Sequence, residues 1–372
     1  MTAGASRDFE RSLRVLLVTR VNAYGRAGGD MTQLRFTKRA LESRGVVVDV
    51  APALDPDPRG YDLVHVFGVY DPQDTRRQIA SCRRTVVPIA LSPLWWDLFE
   101  YYGRSRPMDR ILAGNRRRIP KRLAQLRAQS TGRFLTTNEK RKYAQRIALQ
   151  AALMREADVL LPNSVIESHL IRKNLRLQDR PMVVVHQAVD VPIGTRPAPA
   201  RAGVVCVARV EPNKNQAMLL YALRDLDVDV TLIGACYEPE YADVCRRYLS
   251  PRHRWIGAVE RDEVLARLAA CAVHVLPSWF EFPGIASLEA AAMGAHVVVG
   301  SKGTECEYFG EFAQYVDPED PAGIRAAVER ALALPARRPG DALDRRLAQF
   351  ALDTVAARTL DGYRIALSAK RR

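Results

Sequence analysis

The sequence predicts an α/β protein built from two Rossmann-like, doubly wound parallel-sheet domains, and three observations lead there. The chain has 372 residues, too many for one small core and enough for two of ordinary size. Short apolar runs alternate with segments long enough for crossover helices, and this alternation stops once and starts again. Between the halves, residues 191–203 carry Pro192, Pro197, Pro199, Gly194 and Gly203 with no apolar periodicity, the composition of a semi-rigid linker.

In chain order, residues 13–21 form an apolar run followed by Gly25, Gly28 and Gly29, and residues 31–41 then read as a helix. Residues 46–51, 62–67, 85–91, 157–161 and 182–189 read as further buried strands of the first sheet. Beyond the linker the strand candidates are 204–210, 228–233, 254–257, 273–277 and 296–300. Residues 341–367 read as a long helical stretch able to dock on either domain. The expected divisions are 1–192 with a basic helical segment at 101–150, 200–340, and a C-terminal helix over 341–372.

Hydrophobic residues at 48% and charged residues at 26% exclude a disordered or collagen-like chain. The longest apolar stretch, 269–280, falls short of the roughly 18 residues a spanning helix needs. Residues 1–12 carry Arg7, Asp8, Glu10 and Arg11 and lack the apolar centre of a secretory leader, so a cytoplasmic location is expected. The six cysteines are scattered with no C-x-x-C pair and read as buried thiols of a reducing compartment, with no disulfide frame or zinc site.

The formal charge is +14, and residues 101–150 alone hold fourteen Lys or Arg against two acids. Met108, Ile111, Leu112, Ile119, Leu123 and Leu126 recur at helical spacing beside these cations, with Pro120 as a dividing point. An amphipathic basic segment suits an anionic membrane surface or acidic partner, with Arg116, Arg117, Arg118, Lys121 and Arg122 as the contact residues. It equally suits a solvated face whose stripe packs on its parent domain. Few aromatics stand among the cations, so no nucleic acid is expected.

The chemistry concentrates in residues 277–294, P-S-W-F-E-F-P-G-I-A-S-L-E-A-A-A-M-G. Glu281 sits in a loop and Glu289 on the helix that begins near Gly284, whose free backbone N–H groups suit phosphate or sugar oxygens. Arg209 and Lys214 follow the strand at 204–210, at the sheet edge where open parallel sheets bind ligands, and two cations there can offset a diphosphate. The loop G-R-A-G-G-D at 25–30 does not spell G-x-G-x-x-G, which sets aside a nicotinamide enzyme.

Together A-R-V-E-P-N-K-N-Q at 208–216, the glutamate motif at 278–294 and T-E-C-E-Y-F-G at 304–310 resemble glycosyltransferase family 4. In the first half, A-G-G-D at 27–30, D-L-V-H-V-F-G at 62–68, A-D-V-L-L-P-N-S at 157–164 and V-D at 189–190 follow in the expected order. The resemblance implies the GT-B architecture, two such domains facing across a cleft, and sugar transfer from a nucleotide diphosphate donor with retention of anomeric configuration. It implies that Glu281 holds the donor sugar, assisted by backbone groups of Gly284, Ile285 and Ala286, and that Glu289 binds the ribose. Arg209 and Lys214 would hold the diphosphate, with Gly28 and Gly29 closing on it. No metal and no cofactor beyond the donor substrate is implied.

One departure concerns the acceptor side. Where many relatives have a donor-facing histidine, this sequence reads A-L-S-P-L-W-W-D at 90–97, placing Ser92 there. Trp95 and Trp96 either shape an acceptor pocket, since indoles stack on sugar rings, or belong to the core. His65, at a strand end, is either an acceptor contact or a satisfied core histidine. The expected acceptor is a glycan or glycolipid of cell-envelope assembly at the inner face of a membrane. The competing expectation is a non-catalytic protein of the same frame that binds a polyanion or partner through its basic segment.

Overall fold

The computed structural model describes residues 13–25, 28–193 and 201–369. Residues 1–12, Ala27 of the glycine loop, and the linker positions Gly194, Pro197 and Pro199 lie outside the described residues. The chain divides into two units. Unit 1 comprises Met1–Asp97, Lys140–Asp190 and Phe350–Arg372; unit 2 comprises Leu98–Glu139 and Val191–Gln349.

Unit 1 holds five strands, β1 (Arg14–Thr19), β2 (Val47–Pro52), β3 (Leu63–Phe67), β4 (Ile89–Ser92) and β5 (Val159–Leu160), in the order β2-β1-β3-β4-β5. All pairs are parallel. The strand sequences VLLV, LVHVF and IALS are buried throughout, as expected for a sheet covered on both faces. After β1 the helix Gly29–Glu42 begins directly at Gly28, with no side-chain cap. The helix Leu352–Ala369 packs on it, and Gly362 lets its backbone close on Leu161, since a Cβ there would stand 2.4 Å from a Leu161 methyl.

Unit 2 holds β6 (Val204–Val207), β7 (Val230–Ile233), β8 (His253–Trp255), β9 (Val273–Leu276), β10 (His296–Gly300) and β11 (Ala313–Val316), ordered β11-β10-β9-β6-β7-β8 and all parallel. The chain starts at the centre with β6, runs outward to β8, then returns to β9 on the other side of β6. Neighbouring β6 and β9 therefore form the topological switch point, where ligands bind outside the carboxyl ends of such sheets.

Three sequence expectations change. The segment at 101–150 does not belong wholly to the first domain: helices Phe99–Ala113 and Ile119–Arg127 fall in unit 2, and only Lys140 onward belongs to unit 1. The reason is the apolar stripe, because Met108, Leu112, Ile119, Leu123 and Leu126 are 0–3% exposed within the core that also holds Val204, Leu219 and Val273. Pro120 divides the two helices by opening the second. Residues 182–189 do not form a strand. Met182 bridges Leu160 and Val185 N–H reaches Pro162 O, but Pro162 has no N–H to continue a ladder. The stretch 341–367 is two helices, Ala342–Leu347 and Leu352–Ala369, and the second falls in unit 1. β11 went unread because AQYV alternates too weakly to stand out.

Cys82, Cys206, Cys245 and Cys271 are buried free thiols, Cys236 is half-buried, and Cys306, expected to be buried, is exposed. Burial pushes the Cys206 thiol up to about 12. Among the described residues no helix is long and apolar enough to cross a membrane.

Gly234, after β7, has φ +149°, and a Cβ there would lie 1.9 Å from Ala208 O. The backbone that leads to Arg209 thus rests on a bare α-carbon. Gly234→Ala is expected to cost about 3 kcal/mol of stability, read as a lower urea midpoint; an unchanged midpoint would disprove this close approach.

Candidate functional site

The loop after β6 runs from Ala208 to Asn215, and the loop after β9 carries Ser278, Trp279 and Glu281. Asn215, 1% exposed and left-handed at φ 62°, donates its side-chain amide to Pro277 O (3.0 Å) and Pro318 O (2.8 Å). Trp279 N–H donates to Asn213 O at 2.9 Å. Gln216 Nε2 donates to Arg209 O at 2.8 Å. These bonds lace the two loops together across the switch point.

Their product is one contact: Lys214 Nζ lies 2.5 Å from Glu281 Oε1, with side chains 16% and 9% exposed. Ser278 Oγ donates to the same oxygen at 2.8 Å. Thr304 N–H (2.9 Å) and Oγ1 (3.2 Å) both donate to Glu281 O, so the loop after β10 grips Glu281 from behind. A charged pair this buried is costly unless its geometry is fixed, and the surrounding hydrogen bonds fix it. Arg209, in the same loop as Lys214, pairs with Glu211 at 3.2 Å.

Gly284 caps the helix Ile285–Ala292 without a side-chain bond, which leaves the first N–H groups, those of Ile285 and Ala286, directed out of the helix end. A Cβ on Gly284 would meet a Leu276 methyl at 2.8 Å, so a side chain there would have to displace Leu276 at the end of β9. Glu289, 3% exposed on that helix, is 2.7 Å from Arg261 Nη2. Sequence reasoning missed Arg261, a single arginine among charged residues with nothing to mark it. It also missed Glu305, 1% exposed beside Glu281, although it lies in the quoted run 304–310. Burial, and then the Glu281 charge, holds the Glu305 carboxyl well above the usual carboxylate range. Among the described residues no group of three or more His, Cys, Asp or Glu could hold a metal ion.

In unit 1, Gly28 and Gly29 form the start of the helix after β1, at the switch point between β1 and β3. Asp30 in that first turn is 2.7 Å from Arg20 Nε and accepts from Tyr70 Oη at 3.0 Å. The acceptor candidates need correction. His65 is 2% exposed, with Nδ1 2.9 Å from Tyr363 Oη and Nε2 2.9 Å from Ser92 Oγ, so both ring nitrogens and Ser92 are taken up internally. Trp95, 2% exposed, donates Nε1 to Gln150 Oε1 (3.0 Å) and its backbone N–H to the buried Glu167 (2.7 Å). These three are interior because β3, β4 and the following turn are covered by the helix Leu352–Ala369 and by the helix Thr137–Glu156. Trp96 is half-buried.

The basic face lies in unit 2. Arg116, Arg117, Arg118, Lys121 and Arg122 are all exposed, and Arg116 lies 5.4 Å over the Tyr248 ring. Because the apolar stripe of these helices is inside the core, insertion into a membrane is ruled out for it and only the charged surface remains for a partner.

Residues 201–333 match the family model described as "Glycosyl transferases group 1", a span that contains Arg209, Lys214, Glu281 and Glu289. The chain is similar to a glycogen synthase of Mycobacterium tuberculosis, 30% identical over 240 residues, which cover 60% of this chain and 57% of that protein. The match thus spans little more than half of that relative's length. Among solved structures, sucrose-phosphate synthase from Thermosynechococcus elongatus superposes with a TM-score of 0.72 at 17% identity, covering 96% of this chain and 100% of that one. The Anabaena protein HepE, solved in complex with UDP and glucose, gives 0.68 at 15% identity, with 95% and 99% covered. At these identities the likeness is one of fold: two parallel-sheet α/β domains, as in the GT-B glycosyltransferases.

Burial pushes the His65 imidazole down to about 3 and His274 likewise to about 3. Both are neutral when folded and take up protons when unfolded below about pH 6.5, so folding stability is intact above that pH and falls as pH drops toward 3. His65→Gln is expected to reduce the slope of unfolding free energy between about pH 5.5 and 4 by about 1.4 kcal/mol per pH unit in urea titrations. An unaltered slope would show that His65 is protonated in the fold.

Proposed function

We propose that the chain transfers a sugar from a nucleotide diphosphate sugar to an acceptor, with retention of anomeric configuration. The observation that carries this is the Lys214–Glu281 contact at the carboxyl ends of β6 and β9. A cation and a carboxylate held side by side match the two ends of a sugar diphosphate: the ammonium takes a phosphate oxygen and the carboxylate accepts sugar hydroxyls. The similarity to a glycogen synthase and the UDP and glucose bound by HepE support the same substrate class.

In this reading Arg209 exchanges Glu211 for the diphosphate, and Lys214 turns part of its hydrogen bonding from Glu281 to phosphate. The N–H groups of Ile285 and Ala286 after Gly284 receive sugar or phosphate oxygens, and the helix start at Gly28 and Gly29 in its own unit suits an anion in the same way. Glu289 binds the ribose while Arg261 fixes its carboxylate. The acceptor hydroxyl attacks the anomeric carbon from the face the diphosphate leaves, and a leaving phosphate oxygen takes its proton. Lys214 and Arg209 then offset the charge that develops on the diphosphate. No enzyme base is needed in this sequence of events, in keeping with a site rich in fixed charge.

The acceptor is a glycan or glycolipid of envelope assembly, and Trp96 is the indole of the 95–96 pair with surface to offer it. The cation face at 116–122 faces anionic lipid at the cytoplasmic side of a membrane, by charge alone.

Glu281→Gln and Lys214→Met should each lower donor turnover at least about 100-fold in protein that still unfolds cooperatively, with the melting temperature lowered because each change breaks a buried pair; full rates in both would end the transferase reading. For the lipid contact, replacing Arg117, Arg118, Lys121 and Arg122 by Gln should cut co-sedimentation with vesicles rich in phosphatidylserine at least about tenfold. Binding that survives the four replacements would remove that face from the proposal.

A further inference from the structure

The helix Phe99–Ala113 brings two residues to the loop of Glu281. Tyr101 packs edge-on against Trp279 (6.3 Å between centroids) and Phe280 (6.0 Å), the two residues before Glu281. One turn along, Arg104 is buried and spends its whole guanidinium: Nη1 on Glu319 Oε1 (2.9 Å) and Oε2 (3.2 Å) and on Leu126 O, Nη2 on Gln129 O, and Nε on Thr131 Oγ1. Lys302, in the loop after β10, stands beside this pair. Its ammonium is 2.6 Å from Glu100, 3.7 Å from Glu319, 3.8 Å from Asp317 and 5.1 Å from the centroid of the Trp279 ring.

Lys302 thus has two calls on one charge: Glu319, almost fully buried, and the pair formed by Glu100 and the Trp279 face. With Arg104 on Glu319, the first is already met, and Lys302 sits 1.1 Å closer to Glu100 than to Glu319. Without Arg104 a carboxylate only 5% exposed would keep only the longer 3.7 Å approach of Lys302, a costly state that this cation relieves by moving closer. A lysine in place of Arg104 could not make the same five bonds, because these need the flat fork of a guanidinium.

We propose that Arg104 is a positioning residue for the loop that carries Glu281: by occupying Glu319 it keeps the Lys302 ammonium on the Trp279 ring and Glu100, and so keeps Trp279 seated beside the Lys214–Glu281 contact. This deepens the transferase reading and rests on it for its functional meaning, while the structural coupling stands by itself. Asn215 closes the circuit, since its amide bonds both Pro318 O, next to Glu319, and Pro277 O, at the start of the Glu281 loop.

The coupling is electrostatic and therefore titrates. Glu319 faces Arg104 from the helix Phe99–Ala113, Lys302 from the loop after β10, and Asp317 in its own loop, which Arg127 of the helix Ile119–Arg127 pairs at 3.4 Å; Glu100 acts through Arg104 and Lys302. Burial raises the Glu319 carboxyl, and Arg104 then Lys302 oppose the rise. Removing Arg104 removes the largest of the opposing charges, so the stranded Glu319 carboxylate of Arg104→Ala takes up a proton more readily as pH falls.

Hydrogen exchange of the ligand-free protein, corrected for the intrinsic pH dependence of amide exchange, tests this. In Arg104→Ala the amides of 278–282 should lose protection at least about tenfold at pH 8 and less at pH 6. Arg104→Ala/Glu319→Gln, which removes the stranded charge, should return them to within about twofold of the parent at both pH values. Lys302→Met, which leaves the Arg104–Glu319 bond whole, should loosen 278–282 without exposing 98–139. Loss confined to 98–139, loss that Glu319→Gln does not reverse, or an unchanged loop in Lys302→Met would overturn the proposal. Exchange is read without donor, so a failure of the transferase reading would show in turnover and leave this result intact.

Discussion

The side-chain amide of Asn215 carries more of unit 2 than its size suggests. Parallel strands cannot end in hairpins, so every loop at the carboxyl edge of the sheet leaves on its own path. Asn215 ties the loops after β6, β9 and β11 at one point by bonding Pro277 O and Pro318 O at once, beside the Trp279–Asn213 and Lys214–Glu281 contacts that join the first two. Its left-handed backbone, tolerated by asparagine better than by most residues, turns the chain straight from the short turn Pro212–Lys214 into the helix Gln216–Leu223. The position of Lys214, one residue earlier, is a consequence of that turn.

Around this tie the charges are arranged so that few carboxylates stand alone. Glu281 has Lys214 and Ser278, Glu289 has Arg261, and Glu319 has Arg104. Glu305 differs: it is buried beside Glu281 under Gly303, where any side chain would collide with its carboxyl oxygen, and the environment favours its neutral form. Burial and the Glu281 charge both raise the Glu305 carboxyl, which eases the repulsion between two acids so close together. Unit 1 solves its interior differently, with neutral partners, His65 bridging Ser92 and Tyr363 in a setting that excludes charge.

How much of this was legible beforehand varied with the range of the interaction. Most strands of both sheets could be read because burial on two faces writes continuous apolar runs, and the approach of Lys214 to Glu281 follows from two short loops that each leave a readable strand. The ownership of residues 98–139 could not. An amphipathic helix announces that it has a buried side, never whose core will bury it, and Met108 to Leu126 turned out to belong with Val204 and Val273. Likewise a histidine at the end of a strand gives no sign that a tyrosine almost three hundred residues later will meet its ring, and Arg261 gave no sign of Glu289.

The chain changes unit after Asp97, Glu139, Asp190 and Gln349. Neither half can therefore be obtained by cutting at the linker: a fragment ending at 190 would carry the helices of 99–127 away from the core they complete, and would lack the helix Leu352–Ala369 that supplies Tyr363. The two units share one covalent itinerary, so evolution by exchange of whole halves among relatives is restricted here to partners that keep the same itinerary.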